Sequence, residues 1–133
     1  MPEEGGLFRR GFKDAHSTAI YYLLEAGDFS ALHLLTSVEV YHWYAGSPLE
    51  LLQLDPDGSS YTVTLGPDLR AGQRPQYAAP AGVWQGSSPL GEWALVGTTM
   101  APSFDWDGFT LGHRATLISA YPDRAAEITA LTR

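Results

Sequence analysis

Residues 27–46 read GDFSALHLLTSVEVYHWYAG, and this stretch decides the fold. It holds two runs rich in β-branched, aromatic and leucine residues, Ser30–Thr36 and Val38–Tyr44, separated by Ser37 alone. Aromatic and β-branched residues are enriched in strands, and runs of this length are typical of them. With almost nothing between them, the two runs are predicted to form adjacent antiparallel strands.

Period-two alternation sorts the side chains of these two strands into faces. Glu39, Tyr41 and Trp43 share one face of the second strand, whereas His42 lies on the other. The tight turn brings the first strand's His33 close to Glu39. Burying an unpaired carboxylate is costly. We therefore expect Glu39 to face inward with His33 as its partner.

The rest of the chain is divided into short segments by 14 Gly and 9 Pro. Further strand-length segments are Thr18–Leu24, Leu49–Leu54, Tyr61–Leu65, Pro75–Ala79, Val83–Gln85 and Glu92–Thr99. Many short strands at this spacing predict an all-β sandwich or barrel. Helical composition is confined to the end of the chain, over Leu111–Ala120 and Asp123–Leu131, with Asp123 after Pro122 as a candidate N-cap.

Composition bounds the class of protein. The 133 residues suit a single domain, 1–133, and 44% hydrophobic with 17% charged residues excludes a disordered chain. A net charge of −7 disfavours nucleic acid and anionic membranes as partners. The chain has no cysteine and no apolar run of the ~18 residues that a membrane span needs. Met1–Gly6 is acidic and glycine-rich, unlike a signal peptide, so a cytoplasmic location is expected.

Two spacings resemble the signatures of the cupin superfamily. The first is Gly27-x5-His33-x-Leu35-x3-Glu39-x6-Gly46, in which Leu35 stands where the superfamily normally has a second His. The second is Pro80–Gln85, in which Gln85 replaces a His.

Longer stretches resemble one branch of that superfamily, DUF985 or cupin_5. They are Glu4–Phe12 (EGGLFRRGF), Ser17–His33, Leu54–Gly58 (LDPDG), Leu65–Gln76, Pro80–Gln85, Ala101–Trp106 (APSFDW) and the closing YP…LTR. The resemblance implies a double-stranded β-helix, a small jelly-roll barrel with short C-terminal helices, usually dimeric and with a pocket at one mouth. Departures from the family pattern at Leu34, Val38, Tyr41 and Ser103 suggest a specialised member.

The cupin register assigns candidate roles. Glu39 and His33 are the candidate catalytic pair, and a structural pair is the alternative. The candidate substrate-binding residues are Tyr41, Gln85, Trp43, Trp84, Phe104 and Asp105. The aromatic members are as compatible with core positions as with a ligand platform. His42 is interpreted as structural or interfacial, and His16 and His113 as surface residues.

The residues at the usual cupin ligand positions are poor metal ligands. They are His33, Leu35, Glu39 and Gln85, whereas non-haem iron uses two His and a carboxylate. We therefore expect no cofactor, with a weakly held divalent ion on His33, Glu39 and Gln85 as the alternative.

A buried carboxylate beside an imidazole suits non-redox proton transfer next to a carbonyl. This predicts a small-molecule enzyme of the epimerase, isomerase, dehydratase or cyclase type. The alternative is a module that binds a sugar or an acid without turnover. A homodimer is expected, from the resemblance and because edge strands need cover.

Overall fold

The computed structural model describes residues 4–133, so the first three residues of the acidic segment Met1–Gly6 lie outside it. Ten strands and two short helices occupy this part of the chain. The strands are β1 (Leu7–Lys13), β2 (Thr18–Glu25), β3 (Ser30–Leu35), β4 (Glu39–Gly46), β5 (Leu49–Leu54), β6 (Ser60–Leu65), β7 (Gln76–Ala79), β8 (Trp84–Pro89), β9 (Trp93–Met100) and β10 (Phe109–Leu111). The helices are α1 (Arg114–Ala120) and α2 (Ala125–Ala130), and 3-10 turns cover Leu69–Ala71, Trp106–Gly108 and Pro122–Arg124.

The strands form two five-stranded antiparallel sheets. Sheet I has the order β1-β2-β9-β4-β7, and sheet II has the order β10-β3-β8-β5-β6. Consecutive strands β3 and β4 belong to different sheets, as do β6 and β7, so the chain crosses repeatedly between the layers. This is the double-stranded β-helix expected from the sequence, with its short C-terminal helices. The prediction that β3 and β4 are adjacent antiparallel strands is wrong, because the short connection between them crosses from one sheet to the other.

The main core lies between the two sheets. It includes Tyr22 and Val96 from sheet I and Leu49, Leu51 and Leu65 from sheet II, all with at most 2% of their surface exposed. Alternating side chains on facing strands produce this interleaved layer. The polar residues of the same inner layer are concentrated toward one end, where they form the cavity described below.

A second core lies on the outer face of sheet II. Leu52 and Leu54 of β5 point away from Leu49 and Leu51, and they pack against Leu117, Tyr121, Ile128 and Leu131 of the C-terminal segment. β5 therefore reads as an almost continuous apolar run because both of its faces are covered. The helices thus cover the outer face of sheet II, whereas the cavity lies on the inner face of the same sheet.

Some local predictions differ from the structure. β1 was not predicted, because its seven residues are all exposed and show no alternating burial. The first helix was predicted to begin at Leu111, but α1 begins at Arg114. Leu111 instead ends β10, which pairs with β3 at the edge of sheet II. Asp123 lies inside the 3-10 turn Pro122–Arg124, and no side chain caps the start of α2, so the predicted N-cap is wrong.

Neither α1 nor α2, the α-helices of residues 4–133, has the length and apolarity that a membrane-spanning helix requires.

Candidate functional site

A cavity of about 880 Å³ lies between the sheets and opens beside the loop that precedes β10. Its polar wall consists of Glu4, Thr18, Tyr22, His33, Glu39, Tyr41 and Thr98, contributed by both sheets and the N-terminal segment. Its aromatic wall consists of Phe8, Phe104, Trp106 and Phe109. A concave site of this size with a few converging polar groups is suited to a small molecule.

His33 presents one defined nitrogen to the cavity. Its Nδ1 lies 2.8 Å from the carbonyl oxygen of Ala31. Because a carbonyl can only accept, Nδ1 carries the proton, and Nε2 of the neutral ring is left with its lone pair. The ring stacks on Phe109, with centroids 5.2 Å apart and planes 17° apart. His33 is itself buried, so both its tautomer and its orientation are fixed.

Glu39 is the first residue of β4 and faces the same cavity. Its strand neighbours Ala79 and Met100 are apolar, so the carboxyl group is poorly solvated on the protein side while part of it remains open to the cavity. Desolvation by burial raises the pKa of Glu39. The negative charge of Glu4 raises this pKa further, whereas His33 acts in the opposite direction.

A hydroxyl group also acts on Glu39. Thr98, on the neighbouring strand β9, lowers the pKa of Glu39 by hydrogen bonding, whereas the one hydroxyl proton of Tyr41 is donated to Gln85. Thr98 does not offset burial, so the carboxyl group holds its proton to higher pH than an exposed glutamate. Burial, followed by the charge of Glu39, raises the pKa of the Tyr41 phenol well above its ordinary value.

Gln85 does not line the cavity, which corrects the role predicted for it. It lies on the inner face of β8 but is only 1% exposed, and its Oε1 accepts the Tyr41 hydroxyl at 2.5 Å. Tyr77 donates in the same way to Gln53 Oε1 at 2.9 Å, and these two tyrosines and two glutamines are cross-strand neighbours. Gln85 therefore holds the Tyr41 side chain from behind.

The two tryptophans predicted to bind substrate also lie outside the cavity. Trp43 packs against the core between the sheets, and its indole N–H donates to the carbonyl of Ser47 at 2.9 Å. Trp84 packs against the second core under the C-terminal helices. It precedes Gln85 in β8, and successive side chains of a strand point to opposite faces, so both could not face the cavity.

Phe104 and Asp105 do line the cavity, where they shape its mouth. The Phe104 ring lies 4.9 Å from that of Trp106, and its backbone N–H donates to the Thr18 hydroxyl at 2.8 Å. The Asp105 carboxylate accepts from the backbone N–H of Asp107 at 3.0 Å, which fixes the following 3-10 turn. Asp105 therefore orders the loop that carries the aromatic wall.

The other histidines lie where the sequence analysis placed them. His42 is on the outer face of sheet I, where its Nε2 lies 3.0 Å from the Thr99 hydroxyl and its ring stacks on Tyr44. His16 and His113 are exposed.

Several cavity residues were not predicted. Glu4, Thr98 and Phe109 contribute directly to the surroundings of Glu39 and His33. Thr98 could have been found, because it is the β9 neighbour of Tyr41 once the strands are paired. Glu4 and Phe109 belong to segments whose paths depend on long-range contacts, and local pattern carries no signal for them.

The donor set does not fit a resident metal ion. Leu35 lines the cavity but has no donor atom, and the Gln85 oxygen is occupied by Tyr41. Among residues 4–133, no three His, Cys, Asp or Glu side chains are grouped so that they could hold a metal ion. At the usual cupin ligand positions only His33 and Glu39 supply donors, and the other carboxyl group of the cavity, that of Glu4, is engaged by the Ser30 hydroxyl. Most of a coordination sphere would be left to water.

The fold and a site built from β3 and β4 define a cupin. Residues 2–112 match the family described as Cupin_5, cupin superfamily (DUF985). The chain belongs to this family, which confirms the resemblance described above.

Solved structures agree with this assignment. A Shewanella oneidensis protein is 34% identical, with a TM-score of 0.91 over 98% of this chain and 88% of its own. A hypothetical protein from Leishmania major is 28% identical, with a TM-score of 0.89 over 99% and 91%. Oxalate decarboxylase from Bacillus subtilis is 15% identical, with a TM-score of 0.67 over 97% of this chain and 35% of its own, a likeness of fold alone. No curated protein sequence is significantly similar to this chain.

Proposed function

We propose that this cupin is an enzyme that moves a proton at a carbon next to a carbonyl group, without redox chemistry. The observation that carries the proposal is that His33 and Glu39 line one cavity without a direct hydrogen bond or ion pair between them, with the Nε2 lone pair of His33 free and the pKa of Glu39 raised. A proton-transfer group is most effective when its pKa lies near the working pH. Glu39 with its raised pKa and the Nε2 lone pair of His33, in one small-molecule cavity, fit an isomerase or a lyase.

The chemistry follows from the positions of the groups. A substrate bound between the aromatic wall and β4 presents its C–H bond to the Glu39 carboxylate, which takes the proton. The electron pair of that bond moves to the carbonyl and gives an enolate. A hydrogen-bond donor near the enolate oxygen lowers the barrier because it stabilises charge that develops only in the transition state. The Thr18 hydroxyl, whose oxygen accepts from the Phe104 N–H and which lines the same cavity, is the candidate donor. The Nε2 lone pair of His33 is the candidate acceptor for a proton on a hydroxyl group of the substrate.

Tyr41 has a supporting role in this mechanism. Its hydroxyl proton is committed to Gln85, so the phenol oxygen stays close to Glu39 and fixes the side chain that flanks the carboxyl group. We therefore propose Tyr41 as a positioning residue, and Gln85 as the residue that holds it.

The test is hydrogen exchange between solvent and small carbonyl compounds. Pyruvate, dihydroxyacetone and acetoacetate are incubated with the protein in D₂O, and loss of the α-proton signal is followed by NMR. We expect catalysed exchange for at least one compound and a loss of about 10²–10⁴-fold in Glu39→Gln and in His33→Gln. His42→Gln is the matched control, because His42 lies on the outer face of sheet I, and it should keep the wild-type rate.

The same experiment separates this proposal from binding without turnover. Saturation-transfer NMR reports whether a probe contacts the protein independently of exchange. The decisive case is a probe that binds the wild-type protein, loses binding in a variant of a cavity residue, and shows no catalysed exchange. That result would favour a sugar- or acid-binding module over the enzyme.

A further inference from the structure

The N-terminal segment inserts a second carboxyl group into the cavity. Glu4 is only 8% exposed, and its Oε2 accepts the Ser30 hydroxyl at 2.6 Å. Its backbone carbonyl accepts from the N–H of Ala31 at 2.7 Å and from the guanidinium of Arg133 at 2.8 Å. Glu4 is therefore fixed by β3 and by the end of the chain, and its side chain lines the cavity that holds His33 and Glu39.

The path of this segment depends on two glycines. Gly5 and Gly6 both have positive φ, at 104° and 75°. A Cβ on Gly5 would lie 2.3 Å from the carbonyl oxygen of Phe29, and one on Gly6 would lie 2.6 Å from the Tyr22 ring. The Tyr22 hydroxyl also donates to the carbonyl of Gly5 at 2.5 Å. Only glycine fits at these two positions, so the backbone lies directly against the barrel and the position of Glu4 is fixed.

Glu4 and Glu39 face the same space from different walls. Glu4 lies beside β3 and Tyr22 of β2, whereas Glu39 begins β4. The cations that line the cavity, Arg10 and Lys13, are exposed residues of β1. The Lys13 ammonium donates to the carbonyl of Phe104 at 3.3 Å, in the loop at the mouth. The Arg133 guanidinium lies beside Glu4 on the other side, where it donates to the Glu4 backbone carbonyl.

A carboxylate in a poorly solvated space disfavours ionisation of a second carboxyl group there. The charge of Glu4 raises the pKa of Glu39, as well as the pKa values of Tyr41 and Tyr22. The Glu4 carboxyl group accepts the Ser30 hydroxyl, and burial together with the charge of Glu4 keeps the proton on Glu39 to higher pH than an exposed glutamate would hold it.

We propose that Glu4 is a second catalytic residue of the cavity, which works with Glu39 as an acid and base pair on opposite sides of the substrate. This inference rests on the proposed function and adds the class of substrate. In one direction the Glu4 carboxylate takes the proton of a C–H bond next to a carbonyl, and the electron pair of that bond forms the enolate. Glu39 then gives its proton to the enolate carbon, so Glu4 ends protonated and Glu39 ionised. The reverse direction exchanges their roles.

A pair that acts from two different elements of the cavity wall suits compounds whose proton leaves one side and returns on another. These are carbonyl compounds with a hydrogen-bearing stereocentre next to the carbonyl, which the pair would epimerise. A single base on one wall would return the proton to the side from which it came.

The first test compares Glu4→Gln with Glu25→Gln, an exposed glutamate at the end of β2. A glutamine at position 4 keeps an oxygen that can accept from Ser30, so the segment should stay in place. The probe is L-glyceraldehyde in D₂O, with exchange followed by NMR and the D isomer followed by chiral chromatography. We expect Glu4→Gln to lose about 10²-fold or more in racemisation, and Glu25→Gln to keep the wild-type rate. Wild-type racemisation in Glu4→Gln would overturn the inference.

The second test needs no substrate. Protein labelled with ¹³C at glutamate carboxyl groups reports the titration of Glu39, which faces His33 of β3, Tyr41 of its own strand, Tyr22 of β2 and Glu4. We expect the midpoint of Glu39 to fall in Glu4→Gln, because a neighbouring negative charge is removed, and to be unchanged in Glu25→Gln. An unchanged midpoint in Glu4→Gln would overturn the pairing whatever the activity.

The two failures are distinguishable. If Glu39→Gln abolishes exchange and Glu4→Gln does not, the proposed function stands and Glu4 has no catalytic role. If the wild-type protein catalyses no exchange or racemisation, the proposed function fails, and the catalytic role of Glu4 fails with it. The carboxyl titration then decides only whether the two groups are electrostatically paired.

Discussion

Glu39 is the residue on which the chemistry of the cavity depends, and its position carries an energetic cost. The folded state holds the Glu39 carboxyl group among Ala79, Met100 and a second carboxyl group, whereas the unfolded chain exposes it to water. The folded state consequently binds this proton more tightly than the unfolded state does. Ionisable groups whose pKa is strongly shifted by burial are concentrated at functional sites.

The pH dependence of stability follows from this shift. Because the pKa of Glu39 is raised on folding, the protonated form stabilises the fold at and below about pH 4.5, the ordinary value for glutamate, and this contribution is lost as the pH rises through the folded pKa. Glu39→Gln stays neutral throughout. We expect it to melt at a higher temperature than the wild-type protein at neutral pH, with the difference shrinking toward pH 4.5.

Calorimetry from the acidic range to neutral pH measures this difference. Glu25→Gln, at an exposed position, is the control and should follow the wild-type curve. A Glu39→Gln variant that is less stable than the wild type at neutral pH would show that the ionised carboxylate is stabilised by its surroundings.

The donor set of the cavity predicts weak metal binding. His33 and Glu39 supply one nitrogen and one carboxylate, and Leu35 and the Gln85 oxygen add nothing. We expect elemental analysis of the purified protein to find far less than one iron, zinc, nickel or manganese ion per chain, and we expect exchange activity to survive EDTA. About one tightly held ion per chain, lost in Glu39→Gln, would make Glu39 a ligand and contradict its role as a base.

At the scale of elements, β3 and β4 were the predictable part of the site. Alternation along each strand predicted inward-facing His33, Glu39 and Tyr41, and these three line the cavity. The prediction that a tight turn pairs the two strands is wrong, because His33 and Glu39 meet across the space between the two sheets. Alternation along β8 places Trp84 and Gln85 on opposite faces of sheet II, so the sequence itself excludes a cavity lined by both side chains. Local pattern was least informative for Glu4, which is placed by contacts with Ser30 and with Arg133, 129 residues away.

The C-terminal helices stabilise the barrel from outside the site. Ile128 of α2 is fully buried against the outer face of sheet II, whereas Thr129 beside it is exposed. We expect Ile128→Ala to lower the free energy of unfolding by about 2–5 kcal/mol, because a cavity is left in a packed core. Thr129→Ala should change it by less than about 0.5 kcal/mol.

Denaturant unfolding gives these differences, and exchange activity tests the separation of helices from site. Both variants should keep the wild-type exchange rate while folded, because the helices and the cavity lie on opposite faces of sheet II. A loss of exchange in folded Ile128→Ala would show that the helices support the cavity directly.

At the scale of the whole molecule, the two outer faces of the barrel are unequal. Helices α1 and α2 cover sheet II, whereas sheet I has no such cover among residues 4–133. Its outer face carries Tyr21 and Tyr44, each about half exposed, with ring centroids 5.9 Å apart, and His42 stacked on Tyr44. Large exposed aromatic patches mark interaction surfaces.

We propose that a second copy of the chain covers this face. The edge strand β1 lies in the same sheet, and all seven of its residues are exposed. The unpaired backbone groups of an open edge can pair with another chain, and a dimer would cover them. A two-fold axis through the face would bring the same aromatic cluster of each copy together, since an isologous interface uses one patch twice. The same arrangement leaves the cavity, on the inner face of sheet I, open in both copies.

The dimer is tested by placing charge in the aromatic cluster. Tyr21→Glu combined with Tyr44→Glu puts two carboxylates on each copy, so a two-fold interface would bring four like charges together, and desolvating them opposes association. Light scattering at micromolar concentration should give a dimer for the wild-type protein and a monomer for the double variant. Leu69→Glu is the matched control, because Leu69 is exposed in the 3-10 turn after β6 and leaves the cluster unchanged. A monomeric wild-type protein, or dissociation by Leu69→Glu as well, would assign the aromatic face another role.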